Sequence, residues 1–306
     1  MFGAVAIGIS TSLAGTIISF YAAWQDHPAL SLGTSLGGLP AQTAFLAIAD
    51  ITYRRVNIEH GSASLENLAQ GALLFILLSI PVFAMVSPEF TFLSIHPATP
   101  VLLVAYFSAL TMIRHMKRDP MWLPRRTKET QKEEESSEDQ SEQTSHKQKE
   151  STLALLPAFL VLVFLLGGSG YILAETSLEI AARSFLSETL IGGVFTSVST
   201  SLPELVITLA AVRRGALNLA VGNIIGGNSF DVLFLAGSDI FYRSGSIYHQ
   251  IDPGHVLIIA TSLLMTGVLM LGLLRREKKG PAGIGFESAL VLGIYALLVA
   301  LMFYNG

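Results

Sequence analysis

The chain has no cysteine, so it can hold neither a disulfide nor a thiolate metal site, and its redox compartment leaves no trace in the sequence. Charge is also scarce: Asp, Glu, Lys and Arg make up 14% of 306 residues, against about a quarter in ordinary soluble domains. No stretch alternates apolar and polar residues as a half-buried strand must. Without cysteine, and without an HExxH zinc pattern, the sequence offers no strong nucleophile or metal centre for an intramembrane enzyme.

What it has instead is apolar residue, 51% of the chain, with a mean hydropathy of +0.56. Runs near 3–24, 29–52, 67–87, 99–113, 152–174, 188–212, 216–241, 253–274 and 284–304 approach or exceed the roughly 20 residues that cross a bilayer. They predict an all-α polytopic membrane protein of about nine transmembrane helices, the fourth the shortest. Met1 is followed by no basic leader, and the first run joins a repeat, so it is read as a retained helix and not as a signal peptide.

The few charges are segregated. Of 19 Lys and Arg, 17 fall on one side of this topology and only Arg183 and Arg243 on the other. The positive-inside rule makes the first side cytoplasmic, with the N-terminus inside and the C-terminus outside, and the expected location is the plasma membrane. Residues 117–151 form the predicted linker between halves 1–116 and 152–306. Its stretch Thr127 to Ser151 is polar, mixed in charge and unable to bury a core. The acidic residues Glu133, Glu134, Glu135, Glu138 and Asp139 within it are read as a solvated spacer.

Shifting the chain by 189 positions lays Gly3 to Arg54 on Gly192 to Arg243 without a gap, with 19 of 52 residues identical. Thr11, Ser12 and Leu13 fall on Thr200, Ser201 and Leu202; Gly33, Gly37 and Gly38 fall on Gly222, Gly226 and Gly227. The predicted topology makes the two copies cross the membrane in opposite directions, and an inverted repeat of that kind places a substrate site near the midplane.

The second copy carries the chemistry. In STSLPEL, Pro203 removes the amide that would pair with the Ser199 carbonyl, and Thr200, Ser201 and Glu204 share one helix face. In GNIIGGNSFD, Asn223, Asn228 and Asp231 add oxygens, while Gly222 and Gly226 admit a neighbouring helix. Carboxylates, amides and hydroxyls inside apolar runs suit a hard cation.

These motifs resemble those of sodium/calcium exchangers of the cation/calcium antiporter superfamily, whose two inverted repeats carry sequences of the form GTSLPEL and GNIIGSNIFN. The resemblance implies an antiporter with alternating access at a midplane site that holds calcium or sodium in turn. Carried over, it implicates Thr200, Ser201, Glu204, Asn223, Asn228 and Asp231 as cation ligands; Gly227 stands where the family usually has Ser. The family has ten helices, five per half, and this chain begins at what would be the second.

The first copy departs from the pattern. Ala14 and Gly15 replace the Pro203 and Glu204 equivalents, and Thr34, Leu39 and Gln42 stand opposite Asn223, Asn228 and Asp231. Thr11, Ser12 and Gln42 are left to complete the shell from this half, and Pro40 to free a carbonyl. The site then carries a formal charge of -2 at most, all of it from Glu204 and Asp231. The expected function is a secondary active antiporter with transported cations and no tightly bound cofactor, in contact with the lipid bilayer and with no nucleic acid. The alternatives are the same fold moving another cation or coupled to protons, or a non-transporting cation-binding sensor or scaffold.

The remaining features have structural readings. Gly33, Gly37, Gly222 and Gly226 are packing contacts, and Asp50 and Asp239 are helix-end caps or partners of Arg54 and Arg243. His27, His60, His96, His249 and His255 share no ligand spacing.

Overall fold

The computed structural model describes residues 11–53, 56–123, 125, 157–278 and 285–305, so most of the predicted linker lies outside the described residues. The helices are α1 (Leu13–Trp24), α2 (Pro28–Thr52), α3 (Leu65–Val86), α4 (Ala98–Arg118), α5 (Pro157–Arg183), α6 (Glu188–Thr200), α7 (Leu202–Arg213), α8 (Leu217–Phe241), α9 (Pro253–Arg275) and α10 (Phe286–Asn305).

Among the described residues, six of these are long and apolar enough to cross a membrane: α3, α4, α5, α8, α9 and α10. The α6–α7 pair, bent by 42° at Ser201, makes a seventh if counted as one span. α2 has the length but not the apolarity, because Gly, Ser and Thr interrupt it, and α1 is 12 residues long. By length and composition six or seven spans are found among the described residues, and residues 3–10 of the first predicted run lie outside them. The run read as 152–174 continues in α5 to Arg183, whose guanidinium pairs with Glu179 one turn back at 2.6 Å, an exposed pair that extends the helix past its apolar part.

The offset of 189 governs the architecture. Added to the bounds of α1 and α2, it gives the bounds of α7 and α8 at all four ends. Added to α3 and α4 it gives 254–275 and 287–307, within two residues of α9 and α10. The tight turn after α1 has left-handed Asp26 (φ 65°) where the turn after α7 has Gly215 (φ 79°), and Asp and Gly are among the residues that tolerate this conformation. The one-turn helix Ile58–Gly61 corresponds to the 3-10 turn Ile247–Gln250.

α2 is the central helix, with 20 of its 25 residues buried. It meets α6 backbone to backbone. A Cβ on Gly37 would lie 2.3 Å from the Gly193 carbonyl oxygen, and one on Gly192 would lie 2.7 Å from the Leu30 oxygen. α6 is widened into a π-helical turn over Ile191–Thr196 at this contact, and Thr196 Oγ1 meets Thr34 Oγ1 at 2.8 Å. α4 and α5 lie at the other extreme, with 17% and 11% of their apolar windows buried, as helices that face lipid must.

Two buried carboxylates lace the halves together. Asp239, near the end of α8, accepts from Ile247 N (3.3 Å), His96 N (2.8 Å) and Thr99 Oγ1 (2.6 Å). Asp50, near the end of α2, accepts from Ile58 N (2.9 Å), Gly285 N (3.4 Å) and Ser288 Oγ (2.7 Å). Each partner of one is the partner of the other displaced by 189, and each aspartate grips the entry to the last helix of the opposite half. This corrects half of the sequence reading. Asp239 caps backbone and does not pair with Arg243, whose Nη1 instead donates to the Leu93 carbonyl at 3.1 Å. Arg54 lies outside the described residues.

Candidate functional site

The site forms at two equivalent places in the repeats. Ser12 (φ -82°, ψ 1°) and Ser201 (φ -91°, ψ 1°) depart from helical geometry at the same repeat position, and α1 and α7 begin one residue later. Pro203 sits in the first turn of α7, where its missing amide costs nothing, and Glu204 follows it in that turn. The positive end of the α7 dipole therefore falls on the Glu204 carboxylate. In α1 the same place is held by Gly15, and a Cβ there would meet only Phe234 at 3.4 Å and Thr200 at 3.8–3.9 Å.

Both carboxylates are buried, each in a residue 4% exposed. Ser12 Oγ donates to Asp231 Oδ1 at 3.0 Å and Gln42 Nε2 donates to Asp231 Oδ2 at 2.6 Å. The same Gln42 nitrogen reaches Ser201 Oγ at 3.5 Å. Hence Ser12–Asp231 and Ser201–Gln42 are equivalent pairs, one from each repeat, and Gln42–Asp231 is the contact between them. The Thr11 hydroxyl hydrogen-bonds the Glu204 carboxylate, so first-half hydroxyls serve both acids. Asn228 crosses the same boundary, its Nδ2 donating to the Leu39 carbonyl (3.3 Å) and to Thr43 Oγ1 (3.1 Å).

Three buried oxygens on these side chains have no hydrogen-bond partner among the described residues: Glu204 Oε2, Gln42 Oε1 and Asn228 Oδ1. A buried oxygen left this way costs free energy unless something else supplies the positive charge. Among the described residues no three acidic or imidazole groups gather as a metal cluster. The donor set is one of mixed carboxylate, amide and hydroxyl oxygens, which suits a hard cation held as cargo. Gly227, in the place of the family serine, would put a Cβ 3.4 Å from Gln42 Oε1, an ordinary contact distance.

The structure brings together Thr11, Ser12, Gln42, Ser201, Glu204, Asn228 and Asp231. Thr200 adjoins them but turns its hydroxyl back to the Thr196 carbonyl at 2.9 Å. Asn223 lies more than a turn before Asn228, partly exposed, with no hydrogen bond to the cluster among the described residues. Thr43 and the Leu39 carbonyl join the site without any signal in the sequence, since their repeat equivalents are Val232 and Asn228. Gly33 to Gly37, GTSLG, does match the letters of the GxSxG nucleophile pattern. Its Ser35 is in the interior of α2, donating to the Ser31 carbonyl at 2.8 Å, and not at an exposed strand-to-helix turn. The histidines make separate structural contacts, such as His27 with Glu188 at 2.7 Å and His255 in the cap of α9.

Comparison with known proteins agrees with this fold. Residues 154–304 match the family described as sodium/calcium exchanger protein. Sodium/calcium exchanger MaX1 of Methanosarcina acetivorans is 29% identical over 50% of this chain and 40% of its own length. Inner membrane protein YrbG of Escherichia coli is 31% identical over 39% of this chain and 35% of its own length. Less than half of each of these relatives is thus matched. The solved structure of the sodium-calcium exchanger NCX_Mj, soaked with 10 mM Na+ and zero Ca2+, shares the fold with a TM-score of 0.59 at 22% identity, covering 97% of this chain and 85% of that one. The inverted repeat and these matches make the chain similar to the sodium/calcium exchanger family, whose model it matches over residues 154–304, and to NCX_Mj in fold.

Proposed function

We propose that the protein is a secondary active cation antiporter of the membrane, in which calcium and sodium compete for the oxygens around Glu204 and Asp231. The observation that carries this reading is the set of three buried oxygens on Glu204, Gln42 and Asn228 that lack a hydrogen-bond donor. Glu204 and Asp231 supply the charge. Thr11, Ser12 and Gln42 from the first half, with Ser201 and Asn228 from the second, supply neutral oxygens. Competing ions that share one site couple by exclusion, and alternating access through the two inverted halves turns that competition into exchange. In this reading the halves are 1–116 and 152–306, the plasma membrane is the location, and the N-terminus is cytoplasmic.

The loss of both first-half carboxylates supports a second reading, exchange of another cation or coupling to protons, because a formal charge of -2 balances one divalent ion or two monovalent ones. Proteoliposomes loaded with sodium and diluted into labelled calcium test the first reading. Uptake should depend on the sodium gradient and vanish in Glu204→Gln. Uptake unchanged in that variant overturns the assignment of Glu204, and uptake driven by a pH gradient alone selects the proton-coupled alternative. Saturable binding with no flux under any gradient identifies a sensor.

A further inference from the structure

The repeat relates Glu59 to Tyr248, His60 to His249 and Glu287 to Ala98, so the two ends of the bundle build one scaffold from different chemistry. Around Asp239 the filling is neutral. Tyr248 is completely buried, its hydroxyl 2.9 Å from Thr99 Oγ1, and Ala98 is buried on the turn entering α4. Around Asp50 the same two positions are carboxylates: Glu59, 3% exposed, and Glu287, 1% exposed. The fold closes over Tyr and Ala at one end, so packing does not demand two additional acids at the other.

Both oxygens of Asp50 accept hydrogen bonds, from three donors in all. Glu59 Oε2 and both oxygens of Glu287 have no hydrogen-bond partner among the described residues, and neither has the Nδ2 of Asn57, itself 3% exposed. The side chains of Asn57 and Glu287 converge over Gly285. A Cβ on that glycine would lie 2.7 Å from Glu287 Oε2 and 3.2 Å from Asn57 Nδ2. Asn57 is thus a buried amide, with its donor unused, aimed into the carboxylate cluster.

The groups around Glu59 come from four elements. α2 contributes Asp50; the α2–α3 connection contributes Asn57 and His60; the end of α9 contributes Arg275, Arg276, Glu277 and Lys278; α10 contributes Glu287 and Ser288. Arg275 pairs with Glu277 at 3.4 Å and lies over the Phe286 ring, and Arg276 Nη2 donates to the His60 carbonyl at 3.2 Å. His60 Nδ1 is 2.7 Å from the Arg276 carbonyl, and the Asn57 backbone N–H donates to the Lys278 carbonyl at 3.3 Å. Burial, and after it the Asp50 and Glu287 carboxylates, push Glu59 up to about 8.

We infer that Glu59, with Asn57 and Glu287 beside it, is a proton-binding site at the end of the bundle where Asp50 ties α2 to α10, separate from Glu204 and Asp231. A proton from the aqueous side binds a Glu59 carboxylate oxygen, and the neutral acid so formed adds an O–H donor to the cluster beside Asn57 Nδ2. Asp50 lies eight residues along α2 from Gln42, about 12 Å at 1.5 Å per residue. Protonation of Glu59 thus acts on the anchor of the helix that carries Gln42. The proton site stands whether or not the protein exchanges ions.

The test is a titration of the full chain in nanodiscs with carboxyl-labelled glutamate, followed by NMR. One glutamate signal should titrate near pH 8, disappear in Glu59→Gln and persist in Glu204→Gln. Glu59→Tyr copies the residue of the opposite end and serves where Gln impairs folding. In parallel, thermal unfolding reads the linkage. A carboxylate whose folded pKa is raised stabilises fully below the unfolded value, and that contribution is lost as pH rises through the folded one. The unfolding equilibrium constant should therefore rise with pH up to the Glu59 value, by at most about tenfold per pH unit, and both Glu59 variants should remove that slope. Glutamates that all titrate in the ordinary carboxylate range overturn the inference. So does a high-pH signal that survives in Glu59→Gln or Glu59→Tyr.

Discussion

Gln42 donates its amide to Asp231 at 2.6 Å, and the two residues hold the same position in two repeats, 189 residues apart. An inverted repeat with acids in both copies would set two carboxylates against each other at this contact. Here one has become an amide, and a repulsive pair has become a hydrogen bond that needs no ion to hold it.

Gln42→Glu should restore the missing charge. Two carboxylates at this distance cannot both ionise without a cation, so the variant should bind a proton in the absence of divalent ion and bind the divalent ion more tightly at neutral pH. A gain of at least about tenfold in calcium affinity, equal to about 1.4 kcal/mol, is the expected reading in a calorimetric titration of purified protein. Unchanged calcium affinity would show that Gln42 lies outside the ion's shell.

Gly37→Ala should damage the fold. Its methyl would fall 2.3 Å from the Gly193 carbonyl and 2.6 Å from the Gly193 Cα, both backbone atoms that cannot rotate away. Overpacking of this kind costs about 1–3 kcal/mol or more, visible as a lower melting temperature in detergent. Gly15→Ala, whose new methyl meets side chains only at ordinary contact distances, should be nearly neutral in the same assay.

Asp239→Ala should leave the His96 and Ile247 amides buried without an acceptor, at about 1–3 kcal/mol each. Asp50→Ala should do the same to Ile58 and Gly285 at the other end. Equal losses from two residues so far apart in sequence would be the thermodynamic counterpart of the crossed arrangement. A loss confined to one of them would show that the matching hydrogen bonds are not energetically equivalent.

The cap of α9 carries its own pH dependence. Burial alone would raise Asp252, but its hydrogen bonds and charge contact with His255 and its bond from Thr189 outweigh that and hold it below the ordinary carboxylate range. A depressed carboxylate stabilises above its unfolded pKa and loses that contribution as pH falls through the folded value. Asp252→Ala should therefore cost about 0.5–2 kcal/mol near neutrality, with the gap between variant and parent closing in acid. Parallel melting curves at every pH would contradict this.

Much of this was legible in the residues because membrane helices announce themselves and because 19 identities fixed one offset. The same offset holds for α3 with α9 and α4 with α10, yet identity in those helices is too low to reveal it, since apolar residues facing lipid exchange freely without changing the fold. At the site, Glu204, Asp231, Asn228, Ser12, Ser201 and Gln42 follow from motif and register. Thr43 and the Leu39 carbonyl do not, because their contribution depends on how α2 crosses α8. Glu59 and Glu287 escaped notice for another reason. At the end of an apolar run a glutamate looks solvated, and only the packed structure shows these two buried.

The crossed aspartates also bear on how the chain is made. Asp50 leaves the ribosome early, but its partner Gly285 follows 235 residues later. At roughly 5–20 residues per second, that is an interval on the order of 10–50 s. Throughout it, α2 must wait in the bilayer with a carboxylate near its end that has the Ile58 amide but lacks the Gly285 amide and the Ser288 hydroxyl. The first half is therefore incomplete until α10 arrives, and a nascent chain that stalls before Gly285 keeps Asp50 short of two of its three donors.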